Sequence, residues 1–179
     1  MEVIVLRYGH RHVRDARVTS HCCLVARAFG AGKIIVEGFE DGELKRTVES
    51  VNKNWGRGIG LEFTEHWKPI LKKYKKLGYK VVHTTMYGLP LQNKIAKIRT
   101  WKKVLLIIGS QKVEKEVYEM ADMNISITLQ PHSEVAALAI FLHEYFEGEE
   151  LGKKFNGGKL SIVPQKIGKK IVGLKNISV

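Results

Sequence analysis

The residues best suited to chemistry in this sequence fall in four short polar stretches. The first, residues 7–21, is rich in arginine and histidine. The other three, residues 83–90, 109–113 and 128–134, each follow an apolar run that is typical of a β-strand. Arginine offers paired donors that match phosphate oxygens, and glycine lets a backbone approach a ligand closely. The four stretches therefore indicate binding of a phosphate-bearing partner and of a smaller polar ligand.

The arginine-rich stretch raises both a phosphate and a metal hypothesis. It contains four arginines and three histidines: Arg7, Arg11, Arg14, Arg17, His10, His12 and His21. Asp15 is the only carboxylate in residues 7–21, and the guanidinium charge around it repels a cation. We therefore predict no metal site. We predict instead that Arg7, Arg11 and Arg14 contact an RNA backbone, while a solvated arm remains the alternative.

The overall charge favours a polyanionic partner but does not name a function. The chain has 30 Lys and Arg against 18 Asp and Glu, a formal net charge of +12, and a pI near 9.7. A G-x-G pattern at 56–60 follows a helical pattern and precedes a strand, the reverse of the order in dinucleotide-binding folds. No GxxxxGK[ST] phosphate loop occurs. Nucleotide hydrolysis is therefore not expected.

Strand-like apolar runs alternate with helical patterns about six times. The patterns predict strands over 3–6, 33–38, 61–64, 79–85, 103–109 and 124–128, and helices over 19–29, 41–56, 67–78, 91–99, 113–121 and 135–142. This alternation is typical of an α/β fold, a parallel sheet with helices on both faces. Ligands of such sheets bind at the carboxyl ends of the strands, so the three loops are expected to meet there. For any one loop, an ordinary strand-to-helix turn remains the alternative.

The length predicts one compact unit. Within it we predict a main domain over residues 1–150, with residues 151–179 as an extension packed on the same domain. Two β-rich runs, 160–163 and 170–174, predict an appended C-terminal β-hairpin. The adjacent cysteines, Cys22 and Cys23, are poorly placed for a disulfide and are predicted to be buried. The sequence has neither an apolar run long enough to span a membrane nor a secretory signal, which predicts a cytoplasmic protein.

Four sequence blocks carry a resemblance to a known family. They are RYGHR…RDARVTSH…ARAFGA at 7–31, TMYG at 85–88, IIGSQKVEKEVYEMAD at 107–122 and QPHSEVAALAIFL at 130–142. In this order they resemble the SPOUT class of RNA methyltransferases and, more narrowly, the archaeal tRNA cytidine-56 2′-O-methyltransferase family. The resemblance runs from the first strand to about residue 146 and also covers the appended hairpin. It implies a SPOUT-like fold with a C-terminal trefoil knot.

The resemblance also implies a cofactor, a substrate and a site. The cofactor is S-adenosyl-L-methionine, the substrate is tRNA, and the apolar last helix packs across a homodimer interface. Cofactor-binding residues are then Thr84, Met86, Gly88, Gly109, Ser110, Gln111, Lys112, Val113, Ile127, Thr128, Leu129, Gln130, Pro131, His132, Ser133 and Glu134. An arginine assists the ribose oxygen in this class, and both Arg17 and Arg27 align with it. We favour Arg17, because Arg27 lies within the predicted helix, and we include Ser133 among the catalytic candidates.

Two other functions remain open from the sequence. One is a non-catalytic RNA-binding protein that keeps the knotted fold, which would bind RNA without any cofactor dependence. The other is a methyltransferase that acts on a different RNA or on protein. The first differs from the main hypothesis in cofactor binding, and the second differs in the methylated product.

Overall fold

The structure is a computed structural model that describes residues 1–56, 58–109 and 112–174, with only the backbone of His12 and Val13. Its main sheet has six strands: β1 (Glu2–Tyr8), β2 (Lys33–Glu37), β3 (Gly60–Thr64), β4 (Lys80–Pro90), β5 (Lys103–Gly109) and β6 (Met123–Ser126). All neighbouring pairs are parallel, in the order β3-β2-β1-β5-β4-β6. The prediction of a parallel α/β sheet is confirmed.

Helices cover both faces of the sheet. They are α1 (His12–Ala28), α2 (Gly42–Trp55), α3 (Trp67–Lys76), α4 (Ile95–Arg99), α5 (Lys115–Met120) and α6 (Glu134–Phe146), with short 3-10 turns at Leu91–Asn93 and Glu149–Gly152. One apolar core lies between the sheet and α1, α2, α4 and α6, and it includes Phe141 and Leu138. A second core lies under α3 and α5, around Trp67 and Leu71. Because both faces are covered, the central strands are buried along nearly their whole length.

Helix α1 begins seven residues earlier than the predicted start at residue 19. The Asp15 carboxylate accepts hydrogen bonds from the backbone N–H of Arg11 at 3.1 Å and from its Nε at 3.0 Å, which stabilises the first turn. Arg14 and Arg17 therefore lie on a helix and not in a loop. Cys22 and Cys23 are buried on the same helix without a disulfide, as predicted, and burial raises the pKa of each thiol to about 12.

The C-terminal extension contains the predicted hairpin. Strands β7 (Leu160–Ile162) and β8 (Ile171–Gly173) pair antiparallel in a separate two-stranded sheet. The backbone N–H of Lys159 donates to the Asn54 carbonyl at 2.9 Å, which joins the extension to the end of α2. Among the described residues, no helix is long and apolar enough to cross a membrane.

Candidate active site

The three predicted loops meet at the carboxyl ends of the strands. Strands β5, β4 and β6 are parallel neighbours, so their carboxyl ends lie side by side. A cavity of about 190 Å³ opens between the segments that follow them. Its lining residues are His83, Thr84, Thr85, Met86, Tyr87, Gly109, Val113, Tyr118, Ile127, His132, Glu134 and Ala137. Loops with fourteen or more residues between them in the sequence thus form a single concave surface.

Residues 85–88 leave the β4–β6 ladder and form one wall of this cavity. Ile125 of β6 pairs first with Thr84 and then with Leu89, so the four residues between them project out of the sheet. Gly88 permits this path, because a Cβ at this position would lie 2.5–2.6 Å from backbone atoms of Ile125. Side chains at such a distance would force the two strands apart.

Gly109 plays a similar part in the second loop. A Cβ on Gly109 would lie 2.4 Å from Cγ2 of Val113. Val113 therefore lies close to the end of β5, and it reaches the cavity. Gly88 and Gly109 thus lie where the chain approaches other parts of the protein closely. Close approach of their backbone to a ligand stays a prediction.

The third loop ends at the N-terminus of α6. The Ser133 hydroxyl accepts a hydrogen bond from the backbone N–H of Val135 at 3.2 Å, so Ser133 caps the helix as expected. Glu134, the first helical residue, lines the cavity, where the positive end of the helix dipole favours a carboxylate. Its Oε1 accepts from Nη2 of Arg7 at 3.0 Å.

This ion pair corrects the role predicted for Arg7. The Arg7 side chain is fully buried in β1, and its Nη1 donates to the Tyr8 carbonyl at 2.7 Å. It lies inside the protein and cannot contact an RNA backbone. Arg11 and Arg14, the other two predicted RNA-binding residues, are exposed.

The contacts of Arg27, one of the two candidates for the catalytic arginine, indicate a structural role. Its Nη2 donates to the carbonyls of Trp55 at 2.9 Å and Gly56 at 2.6 Å, and its guanidinium lies 4.4 Å from the Phe155 ring centroid. Arg27 therefore joins α1 to the extension, away from the cavity, and is not a catalytic candidate. Arg17 is exposed and lines a groove together with Ser133, beside the start of α6.

His83 is a cavity residue that the predicted site did not include. The Nδ2 of Asn124 donates to the Tyr118 carbonyl at 2.9 Å, which turns the Asn124 Oδ1 toward Nδ1 of His83, also at 2.9 Å. Nδ1 must then carry the proton, and Nε2 is an acceptor. Burial lowers the pKa of His83, so the ring is neutral near pH 7. Nε2 is buried and has no hydrogen-bond partner among the described residues.

The cavity thus contains part of the predicted cofactor set. Thr84, Met86, Gly109, Val113, Ile127, His132 and Glu134 line it, and Gly88 shapes its wall. Lys112, Thr128, Leu129, Gln130, Pro131 and Ser133 are exposed residues of the second and third loops. Ser110 and Gln111 lie outside the described residues. Sequence patterns identified the loops, and His83 is the first residue of one of them. Tyr118 enters from helix α5, outside all of the predicted loops.

Two histidines of the first stretch, His10 and His21, have described side chains in different surroundings. His10 is buried, with Nδ1 2.9 Å from the Thr19 hydroxyl and Nε2 3.6 Å from Asp41, whereas His21 is exposed. Among the described residues, no group of three or more His, Cys, Asp or Glu side chains is arranged to hold a metal. The absence of a metal stays a prediction.

Comparison with known proteins identifies the family of this chain. A family profile described as tRNA ribose 2′-O-methyltransferase, aTrm56, matches residues 55–172. The chain belongs to this family. A tRNA (cytidine(56)-2′-O)-methyltransferase from Thermococcus kodakarensis is 48% identical over 177 residues, 97% of this chain and 98% of that protein. One from Methanopyrus kandleri is 44% identical over 168 residues, 94% of each chain.

Solved methyltransferases share the fold. The SpoU methyltransferase AviRb from Streptomyces viridochromogenes, in complex with AdoMet, matches with a TM-score of 0.60 and 14% identity, over 82% of this chain and 57% of that one. The TrmH/SpoU tRNA modifying enzyme of A. aeolicus matches with a TM-score of 0.57 and 16% identity, over 83% and 75%. The predicted family and its SPOUT-like sheet are confirmed. The chain spans little more than half of the AviRb chain.

Proposed function

We propose that this protein transfers the methyl group of S-adenosyl-L-methionine to the ribose 2′-hydroxyl of cytidine 56 in tRNA. Membership of the tRNA ribose 2′-O-methyltransferase family supports the reaction, and the names of the relatives support the nucleotide. The observation that carries the proposal is the convergence of three loops, from three neighbouring strands, on one cavity at the start of α6.

The residues of the cavity fit this cofactor. When bound, S-adenosyl-L-methionine supplies an activated methyl group on a positively charged sulfonium sulfur. The cavity offers a carboxylate, Glu134, and its wall includes His83, whose Nε2 is an acceptor buried beside the cavity without a partner among the described residues. Apolar contact is available from Met86, Val113 and Ile127. An acceptor, a negative charge and an apolar wall together match a ligand that carries N–H and O–H donors, positive charge and a heterocycle.

The protein must then align a ribose hydroxyl and help it lose a proton. We assign Arg17 to stabilising the ribose oxygen while its proton passes to solvent water. Arg17 is exposed in the groove that also contains Ser133, and its planar guanidinium presents several N–H donors. Its N–H donors stabilise the negative charge that develops on the ribose oxygen.

Arg17→Ala should therefore lower kcat by about a hundredfold or more, the usual effect of removing a group that stabilises a developing oxyanion. Cofactor affinity, measured by calorimetry, should stay within about twofold, because Arg17 lies outside the cavity. Arg46→Ala, an exposed change on α2, is the matched control and should retain wild-type kcat. A collapse of cofactor affinity in Arg17→Ala would mean that the residue has a different role.

Substrate orientation is assigned to exposed arginines at the start of α1. Arg11 and Arg14 lie near the carboxyl edge of the sheet, because α1 follows β1 directly. Guanidinium groups there would contact phosphates and orient the RNA, while the shape of the site selects the nucleotide. A homodimer, a cytoplasmic location, a trefoil knot and the absence of a metal remain predictions that accompany this proposal.

The deciding experiment supplies the protein with labelled S-adenosyl-L-methionine and an unmodified tRNA transcript, then maps the methylated nucleoside. We expect label on the 2′-oxygen of cytidine 56 and none on a transcript in which that ribose is 2′-deoxy. Label on a base, or at another nucleotide, would replace the proposal by another RNA methyltransferase activity. RNA binding without any cofactor binding would favour the non-catalytic alternative.

A further inference from the structure

The C-terminal extension concentrates the positive charge of the chain. Residues 151–179 contain seven lysines and no acidic residue, so they supply seven of the twelve net positive charges. The other five come from the first 150 residues, which contain every Asp and Glu of the protein. Six of the lysines lie in the described part of the extension: Lys153, Lys154, Lys159, Lys166, Lys169 and Lys170. We call these six residues the extension lysines.

The extension lysines are exposed and lack carboxylate partners. All six are exposed, and none lies within 4.0 Å of an acidic side chain among the residues that the structure describes. Lysines elsewhere often have such a partner, as in the pairs Lys45–Glu40 and Lys80–Asp122. Uncompensated charge of one sign on a small surface is unfavourable unless a counter-charged partner binds it.

Specific contacts hold this surface in place, and it is not a free tail. The Phe155 ring packs against the guanidinium of Arg27 at 4.4 Å, and Arg27 is fixed by two backbone carbonyls. Gly158 approaches the chain at Gly56 so closely that a Cβ would lie 2.6 Å from the Gly56 nitrogen. A groove beside these contacts is lined by Lys53 of α2 together with Lys153 and Lys154.

The extension lies at the amino ends of the strands, and the cavity lies at their carboxyl ends. It docks on Gly30 and Trp55–Gly56, which precede β2 and β3, whereas the cavity lies beyond the carboxyl ends of β4, β5 and β6. The strands between these two ends of the sheet have five to seven residues, which corresponds to about 20 Å. One ligand that touches both must therefore be an extended macromolecule.

We propose that the extension lysines form a second RNA-binding surface, which contacts phosphates of the tRNA at a distance from the methylated nucleotide. This inference rests on the proposed function in one respect, that the RNA is tRNA. Lysine suits the role because it binds phosphate as a point charge without requiring a particular base. The surface would raise affinity and orient the substrate without contributing to the chemical step.

The test compares two triple variants of the full chain with equal loss of charge. Lys166→Gln/Lys169→Gln/Lys170→Gln changes the hairpin, and Lys72→Gln/Lys73→Gln/Lys76→Gln changes exposed lysines of α3. The Kd for unmodified tRNA is measured for both at several salt concentrations. The hairpin variant should bind about tenfold more weakly. The negative slope of log K against log salt should become shallower, by about two to three. The α3 variant should resemble the wild type.

Several results would overturn the inference. Equal weakening in both variants would mean that net charge alone matters, and no weakening in the hairpin variant would remove the surface from tRNA binding. The hairpin also exposes Ile162, Ile167 and Ile171, so vesicles of anionic phospholipid form a further arm of the test. Binding to vesicles that depends on the lysines, without such dependence for tRNA, would assign the surface to membranes instead.

The outcome is separable from that of the proposed function. Calorimetry with S-adenosyl-L-methionine should give the wild-type Kd for the hairpin variant, since none of its three lysines lines the cavity. Normal methylation of cytidine 56 with an unchanged tRNA Kd in the hairpin variant would refute only this inference. Lysine-dependent tRNA binding without methylation would refute only the proposed activity.

Discussion

At the scale of single residues, the ion pair between Arg7 and Glu134 joins the first strand to the last helix. Residues 3–6 are apolar and predicted the strand, but the arginine that follows them was assigned to a polar stretch. In the structure β1 continues to Tyr8, so Arg7 is buried with the rest of the strand. A buried guanidinium needs a partner, and Glu134 provides it from a segment 127 residues away. That distance in sequence is why the pairing could not be predicted.

Removal of this partner should destabilise the protein. Glu134→Ala leaves the Arg7 charge buried without its carboxylate, and the free energy of unfolding should fall by about 2 kcal/mol. Glu119→Ala is the matched control, because Glu119 pairs with Lys115 on an exposed helix face; its effect should stay below about 0.5 kcal/mol. Urea denaturation at pH 7 measures both values. Equal losses in the two variants would contradict the importance of the buried pair.

His83 should make the stability of the protein depend on pH. Burial holds its pKa in the folded state below the ordinary histidine value, so the unfolded chain binds more protons in the window between the two pKa values. Stability contributed by neutral His83 is thus present above the ordinary pKa and is lost as the pH falls through that window. His83→Gln should show a shallower loss of the free energy of unfolding from pH 7 to pH 5. An unchanged slope would contradict this assignment.

At the scale of secondary-structure elements, the sequence predicted type and order well and boundaries less well. Regular alternation of apolar and amphipathic patterns located all six strands of the main sheet. The start of helix α1 was predicted seven residues too late, because its first turns are polar and depend on the Asp15 contact to Arg11. The excursion at 85–88 had no signal except Gly88, since it depends on the approach of β6 from a distant part of the chain.

Gly88 should therefore be intolerant of the smallest side chain. Gly88→Ala places a Cβ within 2.6 Å of the Ile125 backbone, which cannot yield as a flexible side chain would, so β4 and β6 must separate. We expect a loss of about 1–3 kcal/mol in stability and a weaker affinity for S-adenosyl-L-methionine. Gly173→Ala, where a Cβ meets nothing within 4 Å, is the control. Thermal unfolding and calorimetry give the two values, and a stable Gly88→Ala with normal affinity would contradict the account.

At the scale of the whole molecule, the fold class could be predicted but the site only in outline. Parallel strands bring the ends of successive β-α units to one edge, which is a general property of such sheets and placed the three loops together. The order of strands, the burial of Arg7 and the entry of Tyr118 depend on packing between distant segments. The same is true of the attachment of the extension through Arg27 and Phe155.

Helices α1 and α6 have apolar side chains that remain exposed. The two helices pack side by side, and apolar side chains remain exposed on them: Leu24 is 37% and Ile140 is 42% exposed, next to a groove lined by Val18, Val135 and Ala139. A second copy of the chain would cover this face, so the wild type should sediment as a dimer at micromolar concentration. Leu24→Asp/Ile140→Asp should sediment as a monomer, because a charge in an apolar interface costs several kcal/mol. Leu77→Asp, an exposed change after α3, should leave the dimer intact, and a monomeric wild type would refute the prediction.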